Sequence, residues 1–277
     1  KTVTARIGTS FTSAVNAGKN LDSEIPGWDF EQVRRETEVI WNQTLGKARP
    51  AGGDKDAMEM FYTALYHCYQ LPRIVSDAEG WYPGFAGDTA VHRADGFDYY
   101  DDFSMWDTFR ALHPLMTILE PERTLHMVRS LVLKAEQGGW LPIFPAWNNY
   151  TAAMIGDHAA VMIADAYLKG IKFPEAEKAY SYMRKNAFDH PSDDEYIDGK
   201  GRRALNSYLR YGFIPLEDSV WQAFHKREQV SRTLEYAFDD YALARMAESV
   251  GNREDHETLL KRSGNWRNVF DTETGFV

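Results

Sequence analysis

The sequence predicts an all-α fold, a partial toroid of paired helices, with a short N-terminal β segment left from a β domain. Three observations predict it. From about residue 28 onward, apolar residues recur three and four apart, the period of helices with one buried face. The helices come in antiparallel pairs whose members alternate in character. The stretch 159–168 is apolar on most sides and reads as an inner helix, whereas 175–185 keeps a solvated face and reads as an outer one. Residues 2–11 instead alternate with a period of two through Val3, Ala5, Ile7 and Thr9. One strand without a partner cannot satisfy its backbone, so it is expected to be the last piece of a β domain.

The helices follow in order. Val33, Ile40 and Trp41 mark one over 30–45, and Met58, Phe61, Leu65 and Cys68 mark the next over 54–70, which Pro72 stops. The glycine-rich stretch 72–103 is too long for a plain connector, which favours function over linkage. A helix over 105–119 is expected to kink or break at Pro114. Pro121 suits a first-turn position and opens 121–136, which Gly138-Gly139 closes. Further helices are expected over 157–169, 174–187 and, briefly, 202–209, then as a hairpin of 231–250 and 253–270 around Gly251-Asn252.

Composition narrows the function. The net charge of −10 argues against nucleic acid and anionic membranes as partners, and no apolar run is long enough to span a membrane. The single cysteine, Cys68, excludes an internal disulfide framework and a cysteine-based zinc site. Aromatics at 14% are high, and they gather beside carboxylates and glycines in one block. That mixture suits a site that stacks on a sugar ring and hydrogen-bonds its hydroxyls.

Candidate residues lie at helix mouths. Ser104 and Asp107 stand three apart, which suits a capping box; equally, Asp107 can project into the toroid mouth and accept from sugar hydroxyls. Trp106 beside it offers an apolar face, and Arg110, one turn on, can orient Asp107. Asp157, after Gly156, is expected at an N-cap, with His158 next to it as a sugar contact or a hydrogen-bonded core histidine. Trp140, Trp147 and Tyr150 sit in a stiff loop, a wall of a sugar subsite or a loop pinned to the core. Glu235 and Asp239, one helical turn apart, suit a solvated face or the lining of a polar cavity; unless their side chains diverge they are too close for the acid and base of an inverting glycosidase, which stand about 6.5–9.5 Å apart.

The blocks Phe103-Ser104-x-Trp106-Asp107-Thr108-Phe109-Arg110-Ala111-x-His113-Pro114-Leu115, Gln137-Gly138-Gly139-Trp140-Leu141-Pro142, Met154-Ile155-Gly156-Asp157-His158, Thr233-Leu234-Glu235-Tyr236-Ala237 and Phe270-Asp271-x-Glu273-Thr274-Gly275-Phe276 occur in this order. With them the chain resembles glycoside hydrolase family 92, the calcium-dependent exo-acting α-mannosidases, over nearly its whole length. The resemblance implies an N-terminal β-sandwich, ending within 1–20, followed by an (α/α)6 barrel to which 21–277 belong. It also implies calcium (Ca2+), hydrolysis with inversion, and a periplasmic or secreted location. The general acid would be a Glu in a Glu-Gly-Asn block shortly after Gly275-Phe276, and the base an Asp in a later Asn-Asp-Asp-like block. Neither block occurs in these 277 residues. The catalytic residues are therefore expected downstream of Val277.

The sequence is accordingly expected to be the first part of a helical catalytic domain that acts on mannose-containing oligosaccharide and is inactive alone. No catalytic residue is assigned within it, and no metal ligand. Its substrate-binding residues would be Trp106, Asp107, Arg110, Trp140, Asp157 and His158. Two other readings stand beside this one. A non-catalytic helical scaffold that binds glycan or protein would scatter these side chains over an extended surface. A different (α/α)6 glycosidase, acting on glucosides, would need Glu235 or Asp239 for turnover.

Overall fold

The computed structural model describes residues 3–277, which divide into two compact units: 3–84 with 88–101, and 85–87 with 102–277. The chain is mostly helical with a few short strands, as the apolar periodicity requires.

The first unit holds α1 (Ala14–Glu24), α2 (Phe30–Leu45), α3 (Lys55–His67) and four short strands. The strand expected over 2–11 is not observed. Residues 3–10 carry no strand pairing, because no ladder partner stands beside them among the described residues, and residue 2 lies outside the description. Instead the chain turns into α1 at Ser13, whose side chain accepts from the Asn16 N–H. Asn20 then pins this helix, donating to Asp77 Oδ1 at 2.8 Å while its own Oδ1 accepts from the Ala78 N–H at 2.8 Å. Asp29 and Asp54 cap α2 and α3, accepting from the Gln32 and Ala57 N–H groups. Within 72–103, β1 (Arg73–Ile74) pairs antiparallel with β4 (Tyr100–Asp101), and β2 (Trp81–Pro83) with β3 (Val91–Arg93).

The second unit starts where the 105–119 helix was expected. It is two helices, α4 (Met105–Thr108) and α5 (Leu112–Leu119). The break precedes Pro114, which sits in the first turn of α5, where a missing N–H removes no helical bond. Pro121 opens α6 (Pro121–Gly138), and Gly139 ends it in the left-handed conformation (φ +84°). Gly138 permits a closer approach, since a Cβ there would lie 2.2 Å from Tyr150 Oη.

Next come α7 (His158–Leu168), α8 (Ala176–Phe188), α9 (Asp193–Ile197) and α10 (Leu205–Tyr211), then α11 (Gln229–Ser249) and α12 (Arg253–Arg262) with a 3₁₀ turn over Ser263–Asn268. The inner and outer characters hold. All residues from His158 to Ala164 on α7 are buried, whereas α8 buries one face through Ala179, Tyr180 and Met183. α11 is the spine of this unit and packs on α7, α8 and α12. Its fully buried Leu243 and Met246, like Leu131 on α6, each contribute about 1.5–3 kcal/mol of apolar burial.

Candidate functional site

The mouths of α4 and α7 and the first turns of α11 bring the site together. Glu235 is its centre. Its Oε1 accepts from Arg110 Nη2 at 2.6 Å and from Trp106 Nε1 at 3.2 Å. Its Oε2 lies 3.5 Å from His158 Nε2, an ion-pair separation without hydrogen-bond geometry. The Arg110 guanidinium lies over the rings of Trp106 and Phe109, at 5.3 and 4.5 Å from their centroids. Phe109 in turn stacks on the His158 ring at 3.9 Å and 15°. Beside Trp106 opens a hollow of about 170 Å³, lined also by Met154, Ile155, His225, Glu228 and Ser231. Glu228, Ser231 and Glu235 fall three and four apart, so they share one face at the start of α11.

Behind this front lies a buried ionic network. His158 Nδ1 bonds Asp239 Oδ1 at 2.8 Å, and Asp239 Oδ2 accepts from the Asp157 N–H at 2.6 Å. The Asp157 side chain accepts from Arg202 Nε and Asn186 Nδ2, both at 3.0 Å. Arg202 Nη1 donates to Asp240 Oδ1 at 2.7 Å, and Arg262 grips both oxygens of Asp240 at 2.8 Å. Tyr208 Oη donates to Asp240 Oδ2 at 3.0 Å. Four carboxylates (Asp157, Glu235, Asp239 and Asp240) thus face three arginines (Arg110, Arg202 and Arg262), with His158 set between Asp239 and Glu235.

The acid–base behaviour agrees with that placement. Burial opposes a charge on His158, but Asp239, Glu235 and Asp157 outweigh it and hold its pKa above the ordinary value. Burial pushes the Asp157 carboxyl up to about 6, against Arg202, with Asp239 adding to the rise. Gly156 makes the arrangement possible. It has φ +83°, and a Cβ there would stand 2.3 Å from His158 Nε2.

The expected residues fall into three places. Trp106, Arg110 and His158 meet at Glu235. Asp157 is the N-cap residue of α7, as expected, but its carboxylate makes no cap bond and serves the buried network instead. Asp107 is exposed, and Ser104 does not cap it: the Ser104 hydroxyl donates to the Asp107 carboxylate, while the Asp107 N–H bonds the Ser104 carbonyl. A capping box does occur, at Ser192 and Glu195. Trp140 stands apart. It is 2% exposed, packs with Phe85 and Tyr150, and donates through Nε1 to Glu195 Oε1 at 2.9 Å. Within this chain it pins a loop and offers no open face to a ring. His113 is buried and structural, and desolvation lowers its pKa to about 4.

Val277, beyond which the acid and base were expected, is an exposed apolar residue and takes no part in the site. Its side chain has no group that could transfer a proton, so it marks a position in the sequence and is not a catalytic residue itself. The Glu-Gly-Asn and Asn-Asp-Asp-like blocks fall outside the described residues, and no structural role is assigned to them.

Glu235 was weighed with Asp239, as part of a solvated face or of a polar cavity, but not as a centre for Trp106 and Arg110; Asn186, Arg202, Tyr208 and Arg262 were not singled out. A sequence signal was the pair Asp239-Asp240 set between Ala237-Phe238 and Tyr241-Ala242-Leu243, since carboxylates buried among such residues demand cations. Chemically, the front offers an aromatic face, a guanidinium and a partly open carboxylate, groups that recognise hydroxyls. Asp239 is fully buried between His158 and the Asp157 N–H and cannot reach a water in the hollow. Glu235 and Asp239 therefore do not form an acid–base pair. Among the described residues no group of three or more His, Cys, Asp or Glu is placed to hold a metal ion, so these residues alone do not fit calcium.

The glycosyl hydrolase family 92 catalytic domain matches residues 16–277. An uncharacterized secreted glycosidase of Arthroderma benhamiae is 30% identical over 285 residues, which cover 99% of this chain and 31% of that protein. The α-mannosidase BT3965 of Bacteroides thetaiotaomicron, solved with mannoimidazole, aligns with a TM-score of 0.83 at 32% identity, over 96% of this chain and 32% of its own. The inverting mannosidase BT2199 of Bacteroides thetaiotaomicron aligns with a TM-score of 0.84 at 30% identity, over 96% of this chain and 35% of its own. The chain spans about a third of the length of these relatives.

Proposed function

From the premise that the chain belongs to glycosyl hydrolase family 92 and is part of a glycosidase, we propose that the whole protein releases terminal α-linked mannose from mannose-containing oligosaccharides with inversion. The similar structures named as α-mannosidases support the substrate. The similar glycosidase named as secreted supports a secreted or periplasmic location. No helix among the described residues is long and apolar enough to cross a membrane.

The observation that carries this reading is the convergence on Glu235 of Trp106 and Arg110, with His158 at ion-pair distance. Three of the six expected contacts meet there, which favours a site over a scaffold, while Asp107, Trp140 and Asp157 lie outside the cluster. In this mechanism the chain's own residues bind and orient. Glu235 fixes the Trp106 indole, which lines the hollow, and the Arg110 guanidinium that lies over that indole. His158, held by Asp239 and Phe109, stands 3.5 Å from Glu235 Oε2 on the side away from them. The resemblance places the acid and base elsewhere, and in this chain Glu235 is engaged by Arg110 and Trp106 while Asp239 is buried against His158 and the Asp157 N–H. The calcium that the resemblance implies takes its ligands largely from outside this chain as well.

The test follows the anomer released from an α-mannoside by proton NMR with the full protein. β-Mannose appearing first is expected. α-Mannose appearing first, or no mannose at all, would overturn the reading.

A further inference from the structure

A second hollow lies in the second unit, away from the Glu235 front, and the site described above does not use it. It has a volume of about 370 Å³ and is walled by residues between His190 and Trp221. We infer that it is a further sugar subsite, which takes one pyranose of a neutral glycan.

One wall is aromatic. Trp221 lies parallel to Tyr196 at 5.4 Å and 6°, and Arg203 sits 3.9 Å from the centroid of the Tyr196 ring. Tyr196 is thereby fixed, while Trp221 remains 49% exposed. A flat, half-open indole on a rigid support is a platform for the apolar face of a sugar ring.

The other wall is polar. It carries Asp193, Asn206 and Asp218, together with Arg202. Arg202 is 1% exposed and spends Nε on Asp157 and Nη1 on Asp240, while its Nη2 has no acceptor among the described residues. A buried guanidinium N–H without an acceptor is unfavourable, and a ligand oxygen would satisfy it.

The charges select the ligand class. Arg202 is already paired with Asp157 and Asp240, so Asp193 and Asp218 against His190 leave the hollow without a surplus of positive charge to select phosphate or carboxylate. No metal-holding group occurs among the described residues. What remains is a neutral molecule with one apolar face and many hydroxyls, and the carboxylates and the Asn206 amide suit hydroxyls as acceptors and donors.

The inference rests on the glycosidase reading only for the identity of the glycan. The test measures binding of a thio-linked α-mannotrioside, which resists hydrolysis, and of maltotriose to the full protein by ligand-observed NMR. Trp221→Ala is expected to weaken the mannotrioside about fivefold to tenfold, as the loss of a stacking contact should. Trp221→Phe should restore most of it, and Trp28→Ala, an exposed tryptophan of the first unit, should leave it unchanged. Methyl α-mannoside, which needs only one subsite, should bind all variants alike.

Equal mannotrioside binding by wild type and Trp221→Ala would overturn the inference. So would an equal loss for methyl α-mannoside, or a Trp221 that acrylamide cannot quench in the full protein. Trp221-dependent binding of maltotriose in place of mannotrioside would keep the subsite and overturn the mannose reading instead. Mannose release with no Trp221 dependence of binding would do the reverse.

Discussion

Helices α2 and α3 in the first unit carry the clearer amphipathic patterns, α7 and α11 in the second the weaker ones, yet burial runs the other way. α2 buries no residue, α3 buries only Leu65, and Phe30, Ile40 and Met60 stand exposed. α7 and α11 bury most of their length and enclose charge as well as apolar side chains. A helical period marks which residues can face a partner; only the partner decides whether they are buried. The ion pairs differ in the same way. Arg34 on α2 spans Glu31 and Glu38 in solvent, whereas Arg202 joins Asp157 and Asp240 with no exposure at all.

The contrast is sharpest at Arg202. Arg202→Ala leaves Asp157 and Asp240 buried with fewer partners, and is expected to lose about 3–5 kcal/mol of stability in chemical denaturation. A loss under about 1 kcal/mol would mean that the network is hydrated and no different from α2. Gly156→Ala follows, at about 2 kcal/mol or more, because it adds a 2.3 Å clash with His158 to a left-handed φ. Gly52→Ala, left-handed too but with open space around it, should cost only about 1 kcal/mol.

His158 gives a pH test. Its folded pKa is raised, so the stability from its pairing with Asp239 and Glu235 is full below the ordinary value of about 6.5 and fades as pH rises through the folded value. The stability gap between wild type and His158→Gln should therefore be wider at pH 6 than at pH 9. A gap independent of pH would show that His158 is neutral in the folded protein. The smallest effect belongs to Arg34→Ala, whose exposed pairs predict a change within about 0.5 kcal/mol. A larger loss would erase the distinction between the two regions.

Much of the second unit was legible in the sequence because its signals are local. Pro121, Gly139 and Asp157 mark helix ends, and the apolar run after His158 marks an inner helix. α1 was not, since Gly18, Asn16 and Asn20 break its apolar period and its anchor, Asp77, lies far along the chain. The β reading of 2–11 failed for a related reason: alternation shows that a strand is possible, and pairing needs a second strand. At the site, Trp106, Arg110 and His158 were visible as polar and aromatic groups at helix mouths. Glu235 was visible only as a neighbour of Asp239, in a solvated face or a polar cavity; its role as a centre was not, because its partners stand 129 and 125 residues upstream. Arg202 and Arg262 escaped for the same reason, and nothing in Trp140 itself distinguishes an open indole from one buried against Tyr150.

The account turns on Glu235 as the anchor of a sugar-binding wall and not the group that transfers the proton. The most direct measurement is the pH–rate profile of the full protein carrying Glu235→Gln on an α-mannoside. The account predicts a raised KM, about tenfold, with both limbs of the profile kept. Loss of one limb, or a fall in kcat of about 10⁴ or more, would make Glu235 a catalytic carboxylate and contradict it.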